Sequence, residues 1–123
     1  MANKKCLIVD DVEVSRYVLN VIMQDLGFDV GEAVEKKDLL ERLQESQFNV
    51  IFLDWHLRKC SGLDLVPDIR KIPSAAHTPI VVCTGVELQK DIKDIEAIGA
   101  NGFLKKPITP DRLKEELTRL SLI

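Results

Sequence analysis

Polar side chains that could do chemistry stand at the ends of several short apolar segments of this chain. They are Asp10, Asp11, Asp54, Thr84, Lys105 and Lys106. Three carboxylates placed close together repel one another and need a cation at neutral pH, and hard carboxylate oxygens suit Mg²⁺. A carboxylate is also a competent nucleophile toward phosphorus, while a hydroxyl and an ammonium group can bind phosphoryl oxygens. If these side chains meet, they predict Mg²⁺-dependent phosphoryl transfer to a carboxylate.

The apolar segments that precede these side chains have the character of buried strands. Residues 50–53, which lead to Asp54, are four apolar residues in a row and too few for a helix. A continuous apolar segment of this length is typical of a strand buried on both faces in a parallel sheet. Four further strands are predicted at residues 6–9, 28–30, 79–83 and 102–104.

Between the strands, apolar residues recur at the spacing of amphipathic helices. In the first helix the predicted stripe consists of Val14, Val18, Val21, Ile22 and Leu26, with Tyr17 beside it. Gly27 is predicted to end this helix, where a left-handed residue is needed. The last helix is predicted to begin with Thr109 as N-cap and Pro110 in the first helical position.

Strict alternation of five strands with five helices predicts an α/β fold, with a parallel sheet covered by helices on both faces. In a doubly wound sheet of order 2-1-3-4-5, ligands bind outside the carboxyl ends of the strands, at the crevice between strands one and three. The polar side chains named above would then converge on one pocket. No linker, repeat or low-complexity segment interrupts the sequence, so residues 1–123 are predicted to form one domain.

Composition excludes several classes of protein. Apolar residues make up 46% of the 123 residues and charged residues 30%, as in globular proteins. The net charge is −3 without a basic stripe, so nucleic acid is not a predicted partner. No apolar segment is long enough to span a membrane. Three cysteines without a C-x-x-C motif indicate neither a disulfide framework nor a zinc site, and a cytoplasmic location is predicted.

Over its whole length the chain resembles the receiver domains of two-component response regulators, especially the single-domain, chemotaxis-regulator-like members. The resemblance implies a flavodoxin-like fold. The motifs that carry it are Asp10-Asp11 after the first strand, Asp54 with Gly62 eight residues later, Thr84 thirty residues after Asp54, and Lys106-Pro107 at the fifth strand.

This resemblance implies that Asp54 accepts a phosphoryl group from a histidine kinase or a histidine phosphotransfer protein. It implies that Mg²⁺ is bound by the carboxylates of Asp10, Asp11 and Asp54 and by the backbone carbonyl of His56. The protein would not be an enzyme acting on other substrates, although it would phosphorylate and dephosphorylate itself at Asp54.

Thr84 and Lys106 would bind the phosphoryl group, and Thr84 and Phe103 would form the switch. Lys106 is preferred to Lys105 because it precedes Pro107 and because strand alternation places Lys105 on the opposite face. The Lys106–Pro107 bond is also a candidate cis peptide.

Output would pass through protein contacts on the surface made by the fourth helix, fifth strand and fifth helix, which carries Lys90, Lys93 and Arg112. The resemblance implies a stand-alone regulator that is a monomer or a weak, phosphorylation-dependent dimer. The alternative is a phosphorelay shuttle or phosphate sink without an output target of its own.

The chain departs from the family pattern near the acceptor. Arg58 stands where proline is frequent, and Gly85 stands where alanine is common. His56 and Val86 occupy positions that flank the phosphoryl group in the family, and His56 is hypothesised to modulate dephosphorylation.

Three other functions fit the sequence less well. A haloacid-dehalogenase-like phosphatase needs a second aspartate two residues after its nucleophile, where this chain has His56. A flavin carrier needs a phosphate-binding loop after the first strand, but the acidic residues 10–13 would repel a phosphate. A pseudo-receiver would not need the intact set of acceptor residues.

Overall fold

The structure is a computed structural model that describes residues 3–57, 59–85 and 92–123. Its strands are β1 (Lys5–Val9), β2 (Asp29–Ala33), β3 (Val50–Asp54), β4 (Ile80–Thr84) and β5 (Gly102–Lys105). Its α-helices are α1 (Glu13–Asp25), α2 (Lys36–Glu45), α3 (Gly62–Arg70), α4 (Ile92–Ala97) and α5 (Pro110–Arg119), with a short 3-10 helix at Pro73–Ala75. Arg58, Val86 and Lys90, which the sequence singled out, lie outside the described residues.

All four strand pairings are parallel, and the order in the sheet is β2-β1-β3-β4-β5. This confirms the predicted doubly wound α/β fold. The largest boundary error concerns β2, which was predicted at residues 28–30 and extends to Ala33. Its exposed or half-buried residues, among them Gly31 and Glu32, reflect an edge position that needs no continuous apolar segment.

Two apolar layers cover the sheet. Residues of α2, α3 and α4, such as Leu39, Ile69 and Ile95, pack with Leu7 and Ile51 on one face. Residues of α1 and α5 form the second layer on the opposite face, with Met23, Leu113 and Leu117 all buried. β1, β3 and β4, which carry the acidic and hydroxyl side chains, are therefore enclosed from both sides.

The predicted buried stripe of α1 is wrong in part. Ile22 is buried as predicted, but its buried companions are Leu19 and Met23. Leu26 is half-buried against the same layer. Three other residues of the predicted stripe, Val14 (71%), Val21 and Val18, are instead exposed, as is Tyr17 beside them (68%). Both sets have helical spacing. The aliphatic side chains of Leu19, Ile22 and Met23 occupy the core side, whereas the valines and Tyr17 face outward. An exposed apolar surface of four residues, here called the α1 stripe (Val14, Tyr17, Val18 and Val21), results.

The predicted helix ends agree with the structure. Gly27 follows α1 with φ of +89°, in the left-handed region that favours glycine. The Thr109 hydroxyl accepts the backbone N–H of Arg112 at 3.3 Å, and Pro110 is the first residue of α5. The Lys106–Pro107 bond that precedes this helix is cis.

Arg70, the last residue of α3, joins the segments that lead into β4 and β5. Its guanidinium donates to the backbone oxygens of Ala75 (3.0 Å), Thr78 (2.6 Å) and Gly99 (2.7 Å) and to the side-chain oxygen of Asn101 (3.0 Å). Burial lowers the pKa of Arg70. This arginine therefore fixes the amino-terminal end of the sheet, opposite the end where the carboxylates lie.

No helix in the described ranges has both the length and the apolar character that crossing a membrane requires.

Candidate functional site

Asp10 follows β1 and is almost completely buried, with 2% of its surface exposed. Its Oδ1 accepts the backbone N–H of Val12 at 2.8 Å, and its Oδ2 accepts a hydrogen bond from Lys106 Nζ at 2.9 Å. Its own N–H donates to the Ala33 carbonyl at 3.1 Å. The carboxylate is thus held in one orientation by the turn that follows it and by the end of β5.

Asp54 ends β3, next to the end of β1, and is also buried. Its Oδ1 lies 3.6 Å from Lys106 Nζ and accepts the backbone N–H of His56 at 3.3 Å. Lys106 therefore lies between the Asp10 and Asp54 carboxylates and contacts both. Lys105, its neighbour, is exposed, as the strand alternation predicted.

Asp11 completes the acidic group and is half-buried. One carboxylate oxygen each from Asp10, Asp11 and Asp54 can be chosen so that the three atoms lie within 4.8 Å of one another. Three hard oxygen ligands at this spacing suit a small divalent cation that keeps several water ligands. The structure therefore brings together the three carboxylates that the sequence predicted would meet.

The electrostatics of the site favour added positive charge. With all three carboxylates ionised and Lys106 protonated, the four groups carry a net charge of −2. Burial, followed by the charge of Asp10, raises the pKa of Asp54. Burial alone would lower the pKa of Lys106, but the hydrogen bond to Asp10 and the charge of Asp54 raise it overall. Lys106 therefore stays charged, and the site still has an excess of negative charge.

Thr84 and Phe103 occupy neighbouring strands of the sheet. Thr84 is fully buried at the end of β4, and its carbonyl accepts the backbone N–H of Lys106 at 2.8 Å. Phe103 of β5 pairs in register with Val82, two residues before Thr84. Because alternate residues of a strand share a face, Thr84 and Phe103 lie on the same side of the sheet. Phe103 is half-buried against the α2–α3–α4 layer.

The loop after Asp54 is shaped by Trp55, which is buried beside the acceptor. A Cβ added at Gly62 would lie 2.2 Å from the Trp55 ring, so only glycine fits there. His56, by contrast, has an exposed side chain and forms an isolated bridge with Ser61. A Cβ added at Gly85 would meet no atom of the described residues within 4 Å, so they leave room for alanine at that departure from the family pattern.

Arg16 of α1 also contacts the site, which the sequence analysis missed. Its Nη1 donates to the Asp10 carbonyl at 2.9 Å, and its Nε pairs with Glu32 of β2 at 2.9 Å. A contact to a backbone carbonyl leaves no pattern of side-chain types, so the sequence offered no signal for it.

The three cysteines differ in accessibility. Cys6 and Cys83 are buried, and burial raises the pKa of each thiol to about 12. Cys60 is partly exposed and lines a depression of about 360 Å³ beside Asp11 and Leu57. Partial burial also raises its pKa.

Comparison with known proteins agrees with this geometry. The family model described as the response regulator receiver domain matches residues 6–118. The chemotaxis protein CheY-3 of Vibrio cholerae serotype O1 is 32% identical over 119 residues, which cover 96% of this chain and 92% of that protein.

Solved structures extend the comparison. The Vibrio cholerae chemotaxis protein CheY4 is 30% identical and has a TM-score of 0.90, covering 96% of this chain and 98% of that one. The receiver domain of the sensor histidine kinase PA1611 from Pseudomonas aeruginosa PAO1, solved with a magnesium ion in its active-site cleft, has a TM-score of 0.84. It is 24% identical and covers 96% of this chain and 97% of that one, a similarity that shows the fold alone. The chain belongs to the family of response regulator receiver domains, whose members are phosphoacceptor signalling proteins.

Proposed function

We propose that residues 1–123 form one receiver domain that accepts a phosphoryl group on Asp54 from a histidine kinase or a histidine phosphotransfer protein, and that the transfer depends on Mg²⁺. The observation that carries this proposal is the group of three carboxylates, two of which contact the Lys106 ammonium. No other arrangement of side chains in the described parts of the chain combines a buried nucleophile, a cation site and a fixed positive charge.

The donor set fits Mg²⁺ because all three side-chain ligands are hard oxygens and carry more negative charge than Lys106 balances. Asp10, Asp11, Asp54 and the His56 carbonyl would hold the ion. When bound, it would neutralise charge on the phosphoryl oxygens. The magnesium ion in the active-site cleft of the Pseudomonas aeruginosa receiver domain supports this assignment.

Side chains of this protein would accept the phosphoryl group and bind its oxygens. An Asp54 carboxylate oxygen forms a bond to phosphorus, and the phosphorus–nitrogen bond of the donor phosphohistidine breaks with its electron pair returning to the imidazole. Lys106 and the Thr84 hydroxyl would bind phosphoryl oxygens. Water would later attack the same phosphorus, and the bond from phosphorus to the Asp54 oxygen would break to release phosphate. The exposed His56 is proposed to tune that step, as is Val86, which lies outside the described residues.

The α1 stripe supports a protein donor that docks through a helix. Exposed apolar patches on soluble domains mark interaction surfaces, and side chains at i, i+3, i+4 and i+7 match the packing of two helices. The stripe begins beside the acceptor, because the N–H of Val12 bonds to Asp10 and α1 starts at the next residue. A helix of a phosphotransfer protein lying on this stripe would present its phosphohistidine to Asp54.

Intact-mass measurement tests the phosphorylation. A small phosphodonor is expected to add one phosphoryl group to the wild type with Mg²⁺ and none with a chelator. Asp54→Asn should stay unmodified, whereas the matched control Asp25→Asn, at the end of α1, should be modified like the wild type. Equal phosphorylation of Asp54→Asn would contradict the assignment.

The same assay with a phosphorylated histidine phosphotransfer protein tests the donor surface. Tyr17→Ser is expected to slow this transfer roughly tenfold, since loss of one buried aromatic contact costs about 1.4 kcal/mol or more. Its reaction with the small phosphodonor should be unchanged. Equal slowing with both donors would point to damage at Asp54 and not to lost docking.

Output is proposed to pass through the α4–β5–α5 surface. A phosphoryl group on Asp54 would draw the Thr84 hydroxyl toward it, and Phe103 on the same face would turn into the space left beside β4. The surface carrying Lys93 and Arg112 would then change, and a target or a second copy of the chain would bind it more tightly.

Amide NMR shifts with a beryllofluoride mimic of the phosphoryl group test this coupling. In the wild type we expect changes at Asp54 and across residues 92–119, and in Thr84→Ala only those near Asp54. Silence of residues 92–119 in the wild type would instead support the alternative function, a phosphorelay shuttle or phosphate sink.

A further inference from the structure

Asp10 is held by its backbone as well as by its carboxylate. The carbonyl oxygen of Asp10 is part of the peptide group between Asp10 and Asp11. This oxygen accepts a hydrogen bond from Arg16 Nη1 at 2.9 Å. The orientation of that peptide plane determines the direction in which the Asp11 side chain leaves the chain. A contact that fixes the carbonyl therefore also fixes where Asp11 points relative to Asp10 and Asp54.

Arg16 is itself fixed from the other side. Its Nε pairs with Glu32 Oε1 at 2.9 Å, and the second oxygen of Glu32 accepts the side-chain amide of Asn20 at 3.0 Å. The Arg16 side chain is only 16% exposed. The guanidinium thus spans from α1 to β2 and to the turn after β1 with two of its donor groups.

From this geometry we propose that Arg16 is a positioning residue for the metal-binding turn. It acts through the Asp10 carbonyl and touches neither the cation nor the phosphoryl group. The inference rests on the proposed Mg²⁺ site. The planar guanidinium has several N–H donors and can hydrogen-bond to the Asp10 carbonyl and to Glu32 at the same time. A lysine ammonium is a single point charge and cannot reach both acceptors.

Arg16 can affect Mg²⁺ binding in two ways that have opposite signs. Its positive charge disfavours a bound cation, whereas its hydrogen bond to the Asp10 carbonyl orients the turn for binding. If Arg16 mattered only through its charge, removing that charge would strengthen Mg²⁺ binding and Arg16→Lys would bind like the wild type. If it positions the turn, Arg16→Lys weakens binding although the charge is kept. Loss of a partner that orients a metal ligand lowers affinity by about ten- to a hundredfold.

The experiment is an Mg²⁺ titration followed by the fluorescence of Trp55, the single tryptophan of the chain and the neighbour of Asp54. We expect the Kd for Mg²⁺ to rise about tenfold in Arg16→Lys. Glu32→Gln should raise it by a smaller factor, because Arg16 then loses its ionic partner and keeps an oxygen acceptor. Combined, the two changes should raise Kd by less than the product of the single effects, since both act through one contact.

The matched control is Arg42→Lys, an exposed position on α2, which should keep the wild-type Kd. Metal-free melting temperatures are measured for every variant, and titrations are run well below them. An unchanged Kd in Arg16→Lys, with or without a lower melting temperature, would leave Arg16 a structural role only and overturn the inference. Failure of the wild type to bind Mg²⁺ would overturn the proposed metal site itself, a distinguishable result.

Discussion

The two ends of the parallel sheet differ in the balance of their charges. At the amino-terminal end, one cation, Arg70, donates to four uncharged oxygens from the two segments that lead into β4 and β5. At the carboxyl end, Lys106 contacts the carboxylates of Asp10 and Asp54, and Asp11 adds a third carboxylate to the group. Each end has a partly buried positive charge. Every oxygen around Arg70 receives a hydrogen bond, whereas the single charge of Lys106 does not balance the charges of three carboxylates.

This difference separates what stabilises the fold from what performs its chemistry. A buried cation surrounded by backbone carbonyls contributes hydrogen bonds that hold loops together. Buried carboxylates with too little positive charge destabilise the folded state until a cation arrives. Substitutions at the two ends should therefore change stability in opposite directions.

The largest effect is expected at the amino-terminal end. Arg70→Met leaves the acceptors at Ala75, Thr78 and Gly99 without their donor, and we expect the free energy of unfolding to fall by about 2–4 kcal/mol. Urea denaturation measures this loss, with Arg42→Met as the exposed-arginine control that should change it by less than about 0.5 kcal/mol. If the two variants were equally stable, Arg70 would not be the anchor of that end.

Next in size is the effect of Mg²⁺ at the carboxyl end. Saturation to about a hundredfold over Kd should stabilise the wild type by about 2.7 kcal/mol, measured as a shift of the unfolding curve. Asp11→Ala should abolish this gain while raising the metal-free stability, because one of three repelling charges is gone. A metal-free Asp11→Ala protein that melts below the wild type would contradict the repulsion argument, and Asp25→Ala should retain the full Mg²⁺ response.

The smallest effect concerns the pH dependence of the metal-free protein. Burial and the charge of Asp10 raise the pKa of Asp54 above its ordinary value of 3.8. The folded state then binds this proton more tightly than the unfolded state, so the Asp54 contribution to stability increases as the pH falls from above the folded pKa to 3.8. Above the folded pKa the penalty is present in full.

Asp54→Asn removes that penalty. At neutral pH, without Mg²⁺, we expect this variant to be more stable than the wild type by on the order of 1 kcal/mol. The difference between the two proteins should shrink as the pH is lowered. Urea denaturation at several pH values measures it, and a difference that grew on acidification would show that Lys106 and the His56 N–H stabilise the charged form more than burial destabilises it.

The sequence predicted the carboxyl end well and the amino-terminal end hardly at all. Asp10, Asp54 and Lys106 follow apolar segments whose strand character is visible in residue types, and parallel topology then brings strand ends together. Arg70 bonds mainly to backbone carbonyls in irregular segments, and every residue type has a carbonyl. Contacts of this kind appear only once the chain is folded.

Helix α1 shows a second limit of sequence analysis. Spacing alone cannot distinguish the α1 stripe from the set that includes Leu19 and Met23, because both repeat with helical periodicity. Leucine, isoleucine and methionine filled the core and the valines remained outside, but Tyr17, which is larger than any of them, is exposed as well. Side-chain size therefore does not separate the two sets. One helix thus carries two apolar sets, of which only one packs against the core.

Because its three cysteines differ in burial, this protein can be labelled selectively at one native cysteine. A thiol-specific reagent reacts with the thiolate, and Cys6 and Cys83 are buried with pKa values of about 12. Cys60 alone among the three is partly open to solvent, at the rim of the depression beside Asp11. A fluorophore or spin label attached there, at mildly alkaline pH, would report on events at the acceptor site without any engineered cysteine.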